Sequence, residues 1–227
     1  MEADQGTVAK AELTKTARRI ADEQKEKLDK LKANAPDLER PDFVWHYLLR
    51  SFSTMGGIKG FAGLIDNPDN YKEVTYERLA EISDEERLAH ADGVCRRAKV
   101  NYPGNKGRYI TKSFAQVCSL GGPEVAREKL LNCKGREAKV RFLMQFHGIG
   151  PKYARNIMMD VYHEDFHNSI AIDSRIQSIS NAWGLSFGSY EEHEDFYLSV
   201  AKGADLNGWE LDRLMFNFKD EFLPDAA

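Results

Sequence analysis

Between residues 146 and 160 the chain reads FHGIGPKYARNIMMD, which sets Gly148, Gly150, Pro151 and Lys152 within five positions. Glycine reaches positive φ and lets a backbone approach another surface closely. Proline is favoured at the first position of a helix. The segment therefore predicts two helices joined by a tight hairpin, spanning about residues 137–160, with the second helix starting at Pro151. The unpaired N–H groups at that start and the positive end of the helix dipole suit an anion, most simply a phosphate. Lys152 adds an amine at the mouth of the helix, able to meet a phosphate as a cation or, when uncharged, to act as a nucleophile. Twenty-one residues further on, Asp173 enters the segment SRIQSIS. Its carboxylate can cap a helix, or it can balance charge and manage protons at a reacting centre.

The charge distribution points the same way. The formal net charge is −4, but residues 93 to 155 carry 14 basic and 3 acidic side chains, whereas residues 156 to 227 carry 4 and 14. A basic stretch bracketed by acidic ones fits a face that grips a polyanion while the opposite side stays soluble. A solvated helical face is the plainer explanation.

Helical periodicity runs through the chain between breaks such as Tyr102-Pro103-Gly104 and Gly121-Gly122-Pro123, and no alternating strand pattern competes with it. Residues 8 to 33 predict a polar surface helix, and residues 41 to 52, PDFVWHYLLRSF, a core helix broken by STMGGIKG. The expected fold is all-α, with about ten short helices, a first section 1–62 packing with the C-terminal section 161–227, and a middle lobe 63–160 that contains the hairpin.

No stretch reaches the roughly 18 consecutive apolar residues of a membrane span, and the charged N-terminus lacks the apolar centre of a signal peptide. An intracellular, monomeric protein is expected. Cys95, Cys118 and Cys133 fit neither a disulfide framework nor a CxxC metal site. His163 and His167 stand four apart but have no third ligand within reach by sequence, which favours ordinary loop histidines.

The block from Phe146 to Ile176, with its G-I-G-P-K-x-A hairpin followed by AIDSRI, resembles the helix-hairpin-helix DNA glycosylase superfamily, on the side of the short 8-oxoguanine glycosylases. YPGNKGRYI at 102–110 and GWELDRLMFNF at 208–218 are similar to further parts of that family, so the resemblance covers roughly residues 40 to 220. It implies a two-lobed helical fold that binds damaged double-stranded DNA between its lobes. No cysteine cluster follows the catalytic region, so the iron–sulfur branch is excluded.

The resemblance assigns residues as well as a class. Lys152 becomes the nucleophile that attacks C1′ of the damaged nucleotide, and Asp173 the carboxylate facing it. Asn105, Lys106, Arg108, His147, Gly148 and Gly150 would hold the DNA backbone. Trp209, Asp212, Phe216 and Phe218 would line a pocket for the extruded base, and the STMGGIKG loop would supply the wedge that fills the gap. The backbone carbonyls of Met144, Phe146 and Ile149 match positions that hold a monovalent cation in relatives, with no cofactor needed for catalysis. The implied activity is base-excision repair of an oxidised purine by a combined glycosylase and AP lyase. A glycosylase for an alkylated purine or an oxidised pyrimidine, and a non-catalytic DNA-binding module, are the competing expectations.

Overall fold

The computed structural model describes residues 5–32 and 35–224. Among these residues every regular element is helical and no strand occurs. The α-helices of the described residues number fourteen, beside four short 3-10 helices, and the chain divides into two compact units: one draws its described residues from Met1–Ala35 and Met158–Ala227, the other spans Pro36–Ile157.

The unit built from both chain ends contains α1 (Gln5–Glu23), α2 (Lys25–Lys32), α12 (Ser174–Ala182), α13 (Tyr190–Gly203) and α14 (Gly208–Asn217). The expected long polar helix is divided at Gln24, and its last position, Ala33, lies outside the described residues. Four of its apolar residues, Ala9, Leu13, Ala17 and Ile20, fall on one stripe that is fully buried as α1 packs on α13 and α14. Burying such a stripe is what holds a helix this polar in place. Phe166, Tyr197, Trp209, Leu214 and Phe222 complete this core.

The second unit contains α3 (Phe43–Thr54), α4 (Lys59–Leu64), α5 (Pro68–Tyr71), α6 (Tyr76–Ala80), α7 (Asp84–Arg97), α8 (Pro103–Leu120), α9 (Pro123–Asn132), α10 (Gly135–Leu143) and most of α11 (Pro151–Met159). The α7–α8 pair is its most extensive helix contact. Gly107 lets the two backbones close, since a Cβ there would stand 2.9 Å from the Asp92 nitrogen. Trp45 anchors the core: its indole N–H donates to the Val74 carbonyl at 3.0 Å and its ring meets Phe114 edge-on.

The division differs from the expected boundary near residue 62. Helix α3 is buried almost all round and packs on α4, α8 and α9, so residues 43–54 belong with the hairpin unit, and the change of unit falls at Ala35/Pro36.

Candidate functional site

The hairpin is present where the spacing places it. Helix α10 ends at Leu143, the chain turns through Phe146 to Gly150, and α11 opens on Pro151. Three short backbone bonds set the turn: Gln145 N–H to the Phe142 carbonyl, Phe146 N–H to Leu143, and Ile149 N–H to Phe146 at 3.0 Å. Gly148 adopts φ +89°, and a Cβ on it would lie 2.7 Å from the Tyr109 ring. Gly150 corrects the expectation that both glycines are forced, because its φ is ordinary and nothing stands within 4 Å of where its Cβ would be. Ile149 and Ala154 are buried and pin the two arms, while His147 stays exposed with its ring edge-on to Tyr109.

Lys152 is half-buried on the first turn of α11, and its ammonium lies 4.1 Å from the centre of the Tyr153 ring. One turn further, Arg155 is almost fully buried, 3.5 Å from the Pro151 carbonyl and 3.9 Å from Glu137. The resemblance also implied a monovalent cation on the carbonyls of Met144, Phe146 and Ile149. The Phe146 carbonyl accepts the Ile149 N–H and keeps its second lone pair. Neutral carbonyl oxygens are the ligand type that suits a hard cation.

Of the expected DNA contacts on α8, Asn105 and Arg108 are exposed but Lys106 is not. Only 5% of Lys106 is accessible, its ammonium sits 4.9 Å over the Tyr109 ring, and burial pushes its pKa down. It faces inward because position 106 lies on the α7-facing side of the helix beside Gly107, so it is not a surface phosphate contact.

The expected wedge loop forms an apolar tip together with the start of α8. Ile58 and Tyr102 are 73% and 70% exposed, the most exposed large hydrophobic residues of the described chain. The Asn101 side-chain amide donates to the Gly56 carbonyl and joins the two loops. Tyr102 has φ +53°, unusual for a residue with a side chain, and Gly56 and Gly57 have φ +89° and +155°. Exposed Lys59, Arg96, Arg97, Lys99 and Arg108 lie on the same two loops and their adjoining helix ends.

In the other unit Asp173 caps α12. Its Oδ1 accepts the N–H groups of Arg175 at 2.8 Å and Ile176 at 3.1 Å, and its Oδ2 lies 3.3 Å from the Arg175 guanidinium. The side chain is 13% exposed. Arg175 in turn lies 4.1 Å over the ring of Phe216, which is exposed.

The expected base pocket on α14 divides. Trp209 is core, with its indole N–H bonded to the Met159 carbonyl at 2.7 Å and its ring against Tyr162. Asp212 is also inside the unit, where its Oδ1 accepts the Ala171 N–H at 2.8 Å. Burial pushes its pKa up to about 6, against the pull of Arg213 and the Ala171 N–H and with some repulsion from Asp173 and Asp160. Phe218 is half-buried under the Lys27 ammonium. Phe216 alone of the four is exposed, with the Arg175 guanidinium over one face of its ring.

The two loop histidines are structural. His163 Nδ1 accepts the Asp165 N–H at 3.1 Å, and His167 stacks on Tyr162 with ring centres 4.0 Å apart. Both are half-buried rather than solvent-exposed. Among the described residues no group of three or more His, Cys, Asp and Glu side chains is arranged to hold a metal ion, and no helix is long and apolar enough to cross a membrane.

Sequence reasoning did not single out Glu194 and Tyr190. Glu194 is 2% exposed, and its Oε1 accepts the Ile170 N–H at 2.9 Å and the Ser169 hydroxyl at 3.1 Å. The Tyr190 hydroxyl accepts the Ile172 N–H and donates to the Ile170 carbonyl, both at 3.0 Å. In EEHEDFYLS nothing marks the third of four acids in five residues as the buried one.

The chain matches no family model, and no curated protein and no solved structure matches it.

Proposed function

We propose that the chain is a bifunctional DNA glycosylase and AP lyase that removes an oxidised purine, 8-oxoguanine foremost, from damaged double-stranded DNA. The reading rests on the resemblance of the hairpin and the AIDSRI segment. The observation that carries it is Lys152 on the first turn of a helix opened by Pro151, directly behind the Gly148 turn. The unit that holds this hairpin carries 20 basic and 15 acidic side chains, against 12 and 21 in the unit of the chain ends.

The chemistry follows from the residue types. The uncharged Lys152 amine attacks C1′, the C1′–N bond breaks, and the base leaves with a proton. Opening of the sugar ring gives a protonated Schiff base between Nζ and C1′, and loss of a C2′ proton then expels the 3′ phosphate by β-elimination. Asp173 supplies a carboxylate that offsets positive charge building on the sugar. Phe216, the exposed aromatic on α14, offers a face on which an extruded base stacks.

One observation favours a non-catalytic DNA-binding module instead: Asp173 already spends Oδ1 on two backbone N–H groups as a helix cap. Borohydride trapping on DNA with an abasic site separates the readings. The enzyme gives a covalent adduct that Lys152→Ala abolishes, and Asp173→Asn slows base release from an 8-oxoguanine duplex. The module binds the DNA with neither trapping nor base release.

A further inference from the structure

The backbone ahead of Asp173 is held in an unusual way. Residues 169 to 172 are neither helix nor strand, and three successive N–H groups, those of Ile170, Ala171 and Ile172, are satisfied by side chains rather than by other backbone. Two of the acceptors are carboxylates almost completely removed from water, Glu194 at 2% exposure and Asp212 at 4%. Burying a carboxylate is costly unless its hydrogen bonds are made, and a cheaper neutral acceptor would fold this segment as well. Charged acceptors make shorter and roughly twice stronger bonds to N–H groups, so what they add here is rigidity. The third acceptor, Tyr190, grips the segment from both sides, at the Ile172 N–H and the Ile170 carbonyl. Asp173 follows within three residues of all three attachments, and its own Oδ1 is fixed by the first turn of α12.

We propose that Glu194, Asp212 and Tyr190 are positioning residues: from α13 and α14 they clamp residues 170–172 and thereby set the direction in which the Asp173 carboxylate is presented. This role rests on the reading of Asp173 as the reactive carboxylate. None of the three touches the reacting atoms.

The test pairs a variant that removes an acceptor with one that keeps it. Asp212→Ala leaves the Ala171 N–H bare, whereas Asp212→Asn retains an acceptor oxygen of the same reach. A misplacement of about 1 Å at a reacting group costs on the order of 100-fold in rate. Single-turnover base release from an 8-oxoguanine duplex, normalised to trappable enzyme, is therefore expected to fall about 100-fold in Asp212→Ala and to recover to within about fivefold of the unsubstituted protein in Asp212→Asn. Affinity for a duplex with a non-cleavable abasic-site analogue stays the same in both. Tyr190→Phe keeps the ring and removes only the hydroxyl, so it serves where Asp212→Ala does not fold, with an expected loss of about tenfold. Wild-type rates in the loss variants, alongside a slow Asp173→Asn, would overturn the proposal.

A second measurement needs no activity. Amide hydrogen exchange at Ile170, Ala171 and Ile172 should speed up by at least about tenfold in the loss variants, the equivalent of one lost hydrogen bond. Unchanged exchange overturns the clamp and leaves the enzyme reading standing. Faster exchange in a protein that releases no base and gives no adduct overturns the enzyme reading, and the positioning role falls with it.

Discussion

The ring of Tyr109 fills the space that a Cβ on Gly148 would occupy, 2.7 Å from its nearest ring carbon. The hairpin and α8 are thereby keyed together, and the key has a glycine-shaped slot. Gly150, two residues on, has no such neighbour.

The two glycines should therefore respond differently to alanine. Gly148→Ala meets both a φ of +89° and the Tyr109 ring, and should cost about 2–4 kcal/mol, the sum of left-handed strain and overpacking. Gly150→Ala should stay within about 0.5 kcal/mol of the unsubstituted protein in urea unfolding. If DNA lies against the turn, the added methyl at 150 weakens duplex binding all the same, because it stands where a phosphate approaches. Equal stability losses for the two variants would contradict this account of the hairpin.

Opposite pH dependences are expected in the two units. In the unit of the chain ends, burial holds Asp212 at about 6, above the ordinary value of 3.8, against Arg213 and with Asp173 and Asp160 nearby. The unfolded chain releases this proton first, so stability falls as pH rises from about 4 to 6, by about 3 kcal/mol at most. In the hairpin unit, burial and the cations Arg40 and Arg50 lower His46 to about 4, despite Asp42 and Asp37, and its Nδ1 is bonded to the Tyr71 hydroxyl at 2.7 Å. Here the unfolded chain binds the proton first. Stability is full above the ordinary 6.5 and is lost as pH falls toward 4, again by about 3 kcal/mol at most. Hydrogen exchange resolved by segment at pH 4.5 and 7 should show core amides of α3 and α8 better protected at pH 7. Those of α12 and α14 should change in the reverse sense, and Asp212→Asn should remove that reverse change.

How far this arrangement was legible depends on what a side chain's neighbours are. The all-helical class, the hairpin and the start of α11 at Pro151 follow from local signals, namely periodicity, glycine and proline, and the structure agrees with them. Asp173 as the cap of α12 was readable for the same reason, since capping is settled within three residues. Burial of polar side chains was not readable. Lys106 stands in YPGNKGRYI between exposed Asn105 and buried Gly107, and turns inward because α7 packs against Gly107. Trp209 and Asp212 share a helix with Phe216, yet partners 40 and more residues away, Met159 and Ala171, draw the first two into the core. The unit boundary was misplaced because the partners of α3 lie more than 50 residues downstream, in α8 and α9.

The tip made by Ile58 and Tyr102 offers a test of duplex insertion. Apolar side chains that wedge between base steps cost a few kcal/mol of unstacking and are repaid by the distorted duplex they hold. Both residues are largely exposed, on loops that carry Lys99 and adjoin Lys59 at the start of α4 and Arg97 at the end of α7. Under the glycosylase reading, Tyr102→Ala and Ile58→Ala should each slow base release from a paired duplex by about tenfold, the equivalent of about 1.4 kcal/mol. The same lesion opposite a mismatch, already partly unstacked, should lose less. A 2-aminopurine probe beside the lesion reads the unstacking directly, and an unchanged fluorescence rise in both variants would take the tip out of the mechanism.

The basic residues of α8 separate surface charge from buried charge. Arg108 is exposed, and neutralising one phosphate contributes about one unit to the slope of log affinity against log salt. Arg108→Ala should therefore flatten that slope by about 0.9 and weaken binding to damaged and undamaged duplex alike. Lys106 differs in that its ammonium rests on Tyr109 inside the unit and its pKa is lowered by burial. Lys106→Met keeps most of the packing volume and removes a charge that is expensive to bury, so it should leave the salt slope unchanged and hold or raise thermal stability. A slope that flattens in Lys106→Met as much as in Arg108→Ala would mean that the lysine swings out to meet the DNA, and the closed packing around Tyr109 would then be only the unbound arrangement.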